Sequence, residues 1–265
     1  MKPLAAMPED VRRACVGLFT DIDDTVTTEG RLTAAAYTAL ERLHEAGITV
    51  VPITGRPAGW CDMVARFWPV AGVVGENGAF FFRYDHGEKR MIRRFSQGDD
   101  ERAANRQRLV AIRDRVLAEV PGAAVASDQG YRETDLAIDF CEDVPPLPRD
   151  SVDRIVGIFE EAGAVAKISS IHVNGWYGSH DKLTMSKTFA TEALGIDLEA
   201  NRERYVYAGD SPNDAPMFGW FPNAVGVANV LRFQDRMPAL PAYVTPSEGG
   251  AGFVELVDAI LEARR

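Results

Sequence analysis

The stretch ACVGLFTDIDDTVTTEG, residues 14–30, decides the fold. Its first half is a short apolar run without polar alternation, which predicts a strand buried on both faces. Its second half places Asp21, Asp23 and Asp24 within four positions directly after that strand. Because crowded carboxylates repel one another, a cluster at this point indicates a chemical task, although a turn with capping aspartates is the alternative for this motif alone.

The same strand-then-helix pattern continues on both sides of the insertion described below. Continuous apolar runs predict buried strands, and stretches with one apolar face predict helices, such as the helix that begins after Thr33 as N-cap and ends at Gly47. We therefore expect an α/β fold with a Rossmann-like, doubly wound parallel sheet. The predicted strands lie at residues 15–21, 48–55, 70–79, 204–210, 223–229 and 242–245, and the helices at 33–47, 59–69, 183–195, 215–221 and 251–263.

Residues 84–180 show a different order of predicted helices and strands. A helix followed by two strands appears twice in this segment, separated by the proline-rich break VPPLP at 144–148. This pattern predicts an inserted α+β cap domain with an antiparallel sheet. The expected division is a core of residues 1–83 and 181–265 and a cap of residues 84–180.

Composition limits the functional classes. The chain has 265 residues, is 46% hydrophobic and carries a formal charge of -10, which argues against nonspecific nucleic-acid binding. Its three cysteines stand at wide spacings and predict reduced thiols. The first residues lack the apolar run of a signal peptide, and no run approaches membrane-spanning length. We expect a cytoplasmic monomer or homodimer without a membrane partner.

Polar clusters follow the predicted core strands at DIDDT, TGRP and GDSPND. Ligands of such sheets bind at the carboxyl ends of the strands, so these residues are expected to meet there. Converging carboxylates of Asp21, Asp23 and Asp210 or Asp214 need a cation between them, and an all-oxygen shell suits Mg²⁺. Thr54 and a lysine then supply donors to a phosphoryl group.

The motifs occur in a recognisable order. DIDDT fits the pattern D-x-D-x-T, and ITGR, a lysine and GDSPND follow it as the second, third and fourth motifs. In this combination the chain resembles the haloacid dehalogenase superfamily of phosphotransferases. The insertion between the second and third motifs resembles the Cof-type branch with an α/β cap, which includes sugar-phosphate phosphatases. GENGA at 75–79 is similar to the sucrose-phosphatase, mannosyl-phosphoglycerate phosphatase and phosphomannomutase members of that branch.

The resemblance implies a role for each motif residue. It implies that Asp21 is the nucleophile and Asp23 the general acid and base, with Thr54 and a lysine completing the catalytic set. The substrate-binding residues that it implies on the core are Thr54, Gly55, Arg56, the same lysine and Asn213. The Mg²⁺ ligands that it implies are Asp21, Asp23 through its backbone carbonyl, Asp210, and Asn213 or Asp214.

Two lysines compete for the third motif. The interval of 23 residues between Lys187 and Asp210 leaves room for one helix and one strand, whereas the 28 residues from Lys182 are long for this branch. We therefore expect Lys187 to be the catalytic and phosphoryl-binding lysine. Asp24 departs from the family pattern, since many relatives have glycine there, and we expect it to brace the turn.

The cap offers weaker candidates. His172, Asn174 and Trp176 alternate along one predicted strand, which would place them on one face. We expect His172 and Asn174 to contact the substrate, with packing on a neighbour as the alternative for Trp176. Arg132 and Asp135 are further candidates in a cap loop.

These features predict a Mg²⁺-dependent phosphomonoester hydrolase for a small phosphorylated metabolite, with a sugar phosphate expected from the resemblance. The mechanism would pass through an aspartyl-phosphate on Asp21. A phosphomutase acting on hexose phosphates is the alternative within the same family. A phosphate-accepting receiver module is a third hypothesis, which the long insertion disfavours.

Overall fold

The computed structural model describes residues 1–265. Every strand and helix predicted for the core is present, but the strand predicted at 70–79 pairs in a separate antiparallel sheet and not in the parallel core sheet. The structure also adds a short strand and a helix before residue 15. The strands, in chain order, are β1 (Lys2–Pro3), β2 (Gly17–Thr20), β3 (Thr49–Pro52), β4 (Val73–Gly75), β5 (Phe80–Asp85), β6 (Arg90–Phe95), β7 (Ala124–Val125), β8 (Leu136–Asp139), β9 (Val165–Ile168), β10 (His172–Trp176), β11 (Tyr205–Gly209), β12 (Ala224–Gly226) and β13 (Tyr243–Val244). The α-helices are α1 (Glu9–Ala14), α2 (Ala34–Glu45), α3 (Ala58–Phe67), α4 (Asp99–Glu119), α5 (Arg149–Glu161), α6 (Lys182–Leu194), α7 (Leu198–Asn201), α8 (Ala215–Trp220) and α9 (Gly249–Glu262).

The core is a six-stranded sheet in the order β1-β13-β12-β11-β2-β3, with every neighbouring pair parallel. Successive residues of a strand point to opposite faces, so Leu18 packs with α2 and α9 while Phe19 packs with α6 and α8. Burial of both faces is why the strands appear as continuous apolar runs. The predicted doubly wound parallel sheet is confirmed.

The cap is a four-stranded antiparallel sheet in the order β7-β8-β10-β9. Helices α4 and α5 cover one face through a cluster that includes Ile112, Phe159 and Val173. Because residues alternate along β10, His172 and Asn174 lie on the opposite face, which is turned toward the core. The inserted antiparallel cap is therefore confirmed.

A third sheet lies between the two units. Strands β4, β5 and β6 form an antiparallel sheet. The predicted boundary at residue 83 falls inside β5, whose Phe81 packs in the core cluster with Phe189. We now propose that the first core segment extends through β6, because this hairpin packs on the core, and that the cap begins with α4.

Two further predictions can be compared with the structure. Cys15 and Cys61 are buried free thiols, and Cys141 is a half-buried one, as expected. None of the helices combines the length and the apolar character that crossing a membrane requires.

Candidate active site

The predicted motifs meet at the carboxyl edge of the core sheet. Asp21 directly follows β2, Thr54 follows β3 by two residues, and Asp210 directly follows β11. Strands β3, β2 and β11 are neighbours in the parallel sheet, so their ends bring these side chains together. All three residues are buried. The first turn of α6 reaches the same edge.

Lys182, the first residue of α6, is the lysine at this edge. Its Nζ donates to Asp21 Oδ1 at 2.6 Å and to Asp214 Oδ1 at 2.7 Å, and its side chain is 1% exposed. Burial lowers the pKa of Lys182, but the two carboxylates outweigh that effect and raise it, so the ammonium is charged.

The expectation that Lys187 fills this position is wrong. Its Nζ pairs with Glu199 at 2.8 Å and lies 4.5 Å from the ring centre of Trp220, at the protein surface. A helix rises about 1.5 Å and turns about 100° per residue, so five residues shift a side chain about 7.5 Å along the axis and roughly 140° around it. Lys187 therefore lies below the sheet edge and on another face.

Asp214 is held by donors on both of its oxygens. Oδ2 accepts from the backbone N–H groups of Asp210 at 2.9 Å and Ser211 at 3.1 Å, while Oδ1 accepts from Tyr207 Oη as well as from Lys182. A Cβ on Gly209 would lie only 2.5 Å from Oδ2. Glycine at the end of β11 therefore lets this carboxylate approach the strand and orient Lys182.

Three carboxylates form a cluster able to hold a metal ion. One oxygen from each of Asp21, Asp210 and Asp214 lies within 4.8 Å of the others, and all three residues are buried. Burial is the main cause that raises the pKa of Asp21 and Asp210 well above the usual range, and the neighbouring carboxylates raise them further. Three carboxylates and one ammonium leave two uncompensated negative charges in an all-oxygen site, which fits Mg²⁺. Asp21 and Asp210 are better suited than Asp214 as metal ligands, because both oxygens of Asp214 already accept hydrogen bonds.

The side chain of Asp23 lies outside this cluster. Its Oδ1 accepts from Arg56 Nε at 2.9 Å, and its Oδ2 lies 3.5 Å from Thr54 Oγ1. Its carboxylate is therefore separate from the predicted metal ligands, which leaves only its backbone carbonyl for that role. The two carboxylates of Asp21 and Asp23 face different partners, as two different tasks require.

Arg56 connects the core to the cap. Beyond Asp23, its guanidinium donates to Glu142 Oε1 at 2.6 Å and to Asp128 Oδ2 at 3.4 Å, both in the cap. Burial by itself would raise the pKa of Glu142. Its contacts with His172 and Arg56 outweigh burial and lower the pKa to about 2. Glu142 is therefore a carboxylate that ties Arg56 and His172 together across the cleft.

Behind the cleft lies a buried polar network around Arg132. Its Nη1 donates to the carbonyl of Gly55 at 2.8 Å and to Asp135 Oδ1 at 3.0 Å. Asp135 in turn accepts from Asn174 Nδ2 at 2.9 Å. Arg132 and Asp135 therefore support Gly55 and Asn174, while Trp176 stacks on His180 and does not line the cleft.

The segment GENGA forms the turn between β4 and β5, and it also reaches the site. Glu76 and Asn77 have φ of 43° and 54°, and a Cβ on Gly78, with φ of 104°, would collide with the backbone of Asp181. Glu76 is buried and accepts from Ala58 N–H and from the cap segment through the N–H groups of Glu133, Thr134 and Asp135. Glu76 thus links the core to the cap.

Asp24 braces the turn after Asp21, as predicted. Its φ of 54° lies in the left-handed region, which explains why glycine suits this position and why aspartate, which tolerates that region, can replace it. Its backbone N–H donates to Thr27 Oγ1 and its carbonyl accepts from Asn229. Its side chain contacts Ser170 of the cap rather than the acidic cluster.

The cap is closed over the site. The cleft between the two units is lined by Asp21, Asp23, Gly55, Arg56, Ser169, Ser170, Ile171, His172, Asn174, Ser211 and Asn213, and its free volume is about 10 Å³. A cavity needs at least about 10–15 Å³ to hold one water molecule, so no substrate fits this arrangement. Substrate entry therefore requires the cap to move.

Comparisons with known proteins agree with this geometry. Residues 18–102 match the family described as haloacid dehalogenase-like hydrolase. The resemblance to the haloacid dehalogenase superfamily is therefore confirmed over this segment, and the chain is similar to phosphatases of that superfamily. It is similar to two curated proteins, both phosphoglycolate phosphatases. The one from Haloarcula marismortui is 28% identical over 249 residues, which cover 91% of this chain and 95% of that protein. The one from Pyrobaculum neutrophilum is 29% identical over 254 residues, which cover 93% of this chain and 96% of that protein.

A solved structure supports the fold of the whole chain. The sucrose-phosphatase of Synechocystis, solved with sucrose and phosphate, matches with a TM-score of 0.61 at 15% identity, covering 92% of this chain and 97% of that one. At this identity the similarity concerns the arrangement of core and cap.

Several residues of the site were missed by the sequence analysis. Tyr207, Asn229 and Thr25 donate to the acidic cluster, and Glu142 and Asp128 hold Arg56. No motif marks them, since they become neighbours only through folding. Lys182 was detectable, because Asp181 is an N-cap that starts α6 at Lys182 and places it at the sheet edge.

Proposed function

We propose that this chain is a Mg²⁺-dependent phosphomonoester hydrolase that forms an aspartyl-phosphate on Asp21. The observation that carries the proposal is the contact of Lys182 with both Asp21 and Asp214 at the edge where Thr54 and Asp210 also lie. A buried ammonium beside a nucleophilic carboxylate is suited to neutralise phosphoryl oxygens. The same contact supports Lys182, and not Lys187, as the phosphoryl-binding lysine.

In the first step a carboxylate oxygen of Asp21 attacks phosphorus. The bond between phosphorus and the ester oxygen breaks, and Asp23 gives its proton to that oxygen. Asp21, Asp210 and the backbone carbonyl of Asp23 would hold Mg²⁺, with Asp214 beside them, and the bound ion would supply positive charge to the phosphoryl oxygens. Thr54 Oγ1, the Gly55 backbone and Asn213 would hold the phosphoryl group from the other side.

In the second step water replaces Asp21 on phosphorus. Asp23, now a carboxylate, takes a proton from the water, the new bond to phosphorus forms, and the bond to Asp21 breaks to release phosphate. Asp23 is suited to this double role because its partners are Arg56 and Thr54 and not the metal cluster. Its partner Arg56 orients the carboxylate toward the cleft.

For the substrate we favour phosphoglycolate or a phosphorylated acid of similar size over a sugar phosphate. Support comes from the two curated relatives, which match nearly the full length of this chain and act on phosphoglycolate by name. A small leaving group also suits the cleft, because the closed cap leaves little space there. Sugar phosphates remain the second candidate, from the resemblance of the motifs.

The experiment is a phosphate-release assay with phosphoglycolate and with hexose phosphates, in Mg²⁺ and in excess chelator. Asp21→Asn should lower kcat at least about 10³-fold, because the nucleophile is lost. Asp24→Asn is the matched control. Position 24 is three residues from Asp21, asparagine tolerates its left-handed backbone, and the variant should retain activity. Full activity in Asp21→Asn would refute the proposal. Isomerised hexose phosphate without free phosphate would instead establish the mutase.

A further inference from the structure

Asn77 carries a hydrogen-bond donor that no group in the protein uses. Its Nδ2 is buried and has no partner, although the residue is only 2% exposed. A buried donor without a partner is costly, so such a group in a native protein needs an explanation. The left-handed backbone at Asn77 adds to this cost.

The orientation of this amide is set by its neighbours. Ser211 Oγ donates to Asn213 Oδ1 at 2.8 Å, and Asn213 Nδ2 then donates to Asn77 Oδ1 at 3.1 Å. The backbone N–H of Asn77 donates to the carbonyl of Thr54 at 3.0 Å. The side-chain oxygen and the backbone N–H of Asn77 therefore both form hydrogen bonds, and only Nδ2 lacks a partner.

That unpaired donor lies beside Gly55, which lines the cleft. A Cβ built on Gly55 would lie 3.1 Å from Asn77 Nδ2 and 3.5 Å from Asn174 Oδ1. Gly55, Asn174 and Asn213 all line the cleft next to Asp21 and Asp23. The absent side chain of Gly55 thus leaves open space beside this donor, at the edge of the cleft.

We propose that Asn77 is a substrate-binding residue whose Nδ2 donates to a non-bridging oxygen of the phosphoryl group. The inference rests on the proposed function and extends it to a residue outside the four motifs. The phosphoryl group is the recipient because the partners of Asn77 are Thr54 and Asn213 on the core side. His172 and Asn174, which we expect to contact the leaving group, come from the cap. A preoriented donor of this kind needs no reorganisation when charge develops on the phosphoryl oxygens.

The test compares the binding of orthovanadate, measured by calorimetry in Mg²⁺, with kcat for two substrates. Asn77→Asp keeps an oxygen for Asn213 and tolerates the left-handed backbone, but replaces the donor by an acceptor. Asn77→Gly removes the donor without adding charge. Both variants should bind vanadate about 10- to 100-fold more weakly, the usual effect of losing a hydrogen bond to a charged group, and should lose kcat by a similar factor. Phosphoglycolate and p-nitrophenyl phosphate should be affected equally.

The matched control is Asn223→Asp. Asn223 is also buried, but it donates to the carbonyl of Glu203 away from the cleft, and its variant should bind vanadate as the wild type does. Unchanged vanadate affinity in Asn77→Gly would overturn the inference, since a loss confined to Asn77→Asp would be a charge effect. Unequal losses for the two substrates would place the donor on the leaving group and overturn it as well. Failure of the wild type to hydrolyse any phosphomonoester would refute the proposed function instead, and the vanadate measurement separates the two cases.

Discussion

Replacing Lys182 with methionine removes the single ammonium that lies between two buried carboxylates. Asp21 and Asp214 lie 2.6 and 2.7 Å from its Nζ, and the side chain is 1% exposed. Removing one partner of a buried ion pair costs about 3–5 kcal/mol, because the remaining charge has no compensation. At about 2–4 °C per kcal/mol, the melting temperature of the metal-free protein should fall by roughly 6–20 °C.

The same substitution should nearly abolish turnover. Loss of one donor to a developing oxyanion costs about 10²–10³ in kcat, and a buried ammonium is at the upper end of that range. Mg²⁺ bound as proposed would supply positive charge to Asp21 and next to Asp214, so it should restore part of the stability of Lys182→Met but little of its activity. Calorimetry with and without Mg²⁺, together with phosphate release, measures both effects.

Lys187→Met is the matched control, made by the same substitution on the same helix. Lys187 has a surface pair with Glu199 and a contact with Trp220, which are worth about 0–1 kcal/mol each. Its melting temperature should change by a few degrees at most, and its kcat by less than about twofold. The reverse pattern, with Lys187→Met inactive and Lys182→Met active, would refute the assignment of the lysine.

Two other predictions concern the core–cap contact and the metal. Glu76→Gln should loosen the cap, because all partners of the carboxylate are donors and the carboxamide turns its NH₂ toward some of them. We expect a loss of about 1–3 kcal/mol in the free energy of unfolding, measured in urea, with the half-exposed Glu133→Gln as control. Burial raises the pKa of Glu76 from 4.5 to about 7, so folding takes up a proton between these pH values. The contribution of Glu76 to the free energy of unfolding should therefore fall as pH rises from about 4.5 to 7. An unchanged difference in that free energy between the wild type and Glu76→Gln across this range would contradict the prediction. Mg²⁺ at about 100 times its Kd should stabilise the wild type by roughly 2.7 kcal/mol, which corresponds to roughly 5–11 °C in melting temperature. Asp210→Asn should abolish this shift, and an equal shift in both proteins would remove Asp210 from the metal site.

The fold could be predicted closely because its signals are local. Strands β2, β3 and β11 are apolar throughout, which is the pattern of a sheet covered on both faces, and Thr33 and Gly47 mark the ends of α2. The cap boundary stays a prediction, and we propose to move it beyond β6. Phe81 packs in the core cluster, and this contact is the reason for assigning the β5–β6 hairpin to the core. The sequence did not reveal this, because the alternation of residues along a strand does not show which unit the strand packs against.

The motif residues of the site were also predictable, because strand ends in a parallel sheet meet at one edge. Asp21, Thr54 and Asp210 each follow a strand, and this placement needs only local sequence. The lysine was different, since sequence spacing measures chain length and not the face of a helix. The N-cap at Asp181 places Lys182 at the level of the carboxylates, and the helical rise carries Lys187 away from them.

The sequence by itself therefore determined the sheet, the inserted cap and the positions of Asp21 and Asp23 after the first core strand, because apolar runs and the positions directly after strands are local properties. The tertiary structure alone decided how Arg56 and Glu76 bind the cap to the core, and which donor of Asn77 has no partner in the protein. Each of these depends on contacts between segments far apart in the chain. Such contacts form only when burial and packing bring the segments together, so no local pattern records them.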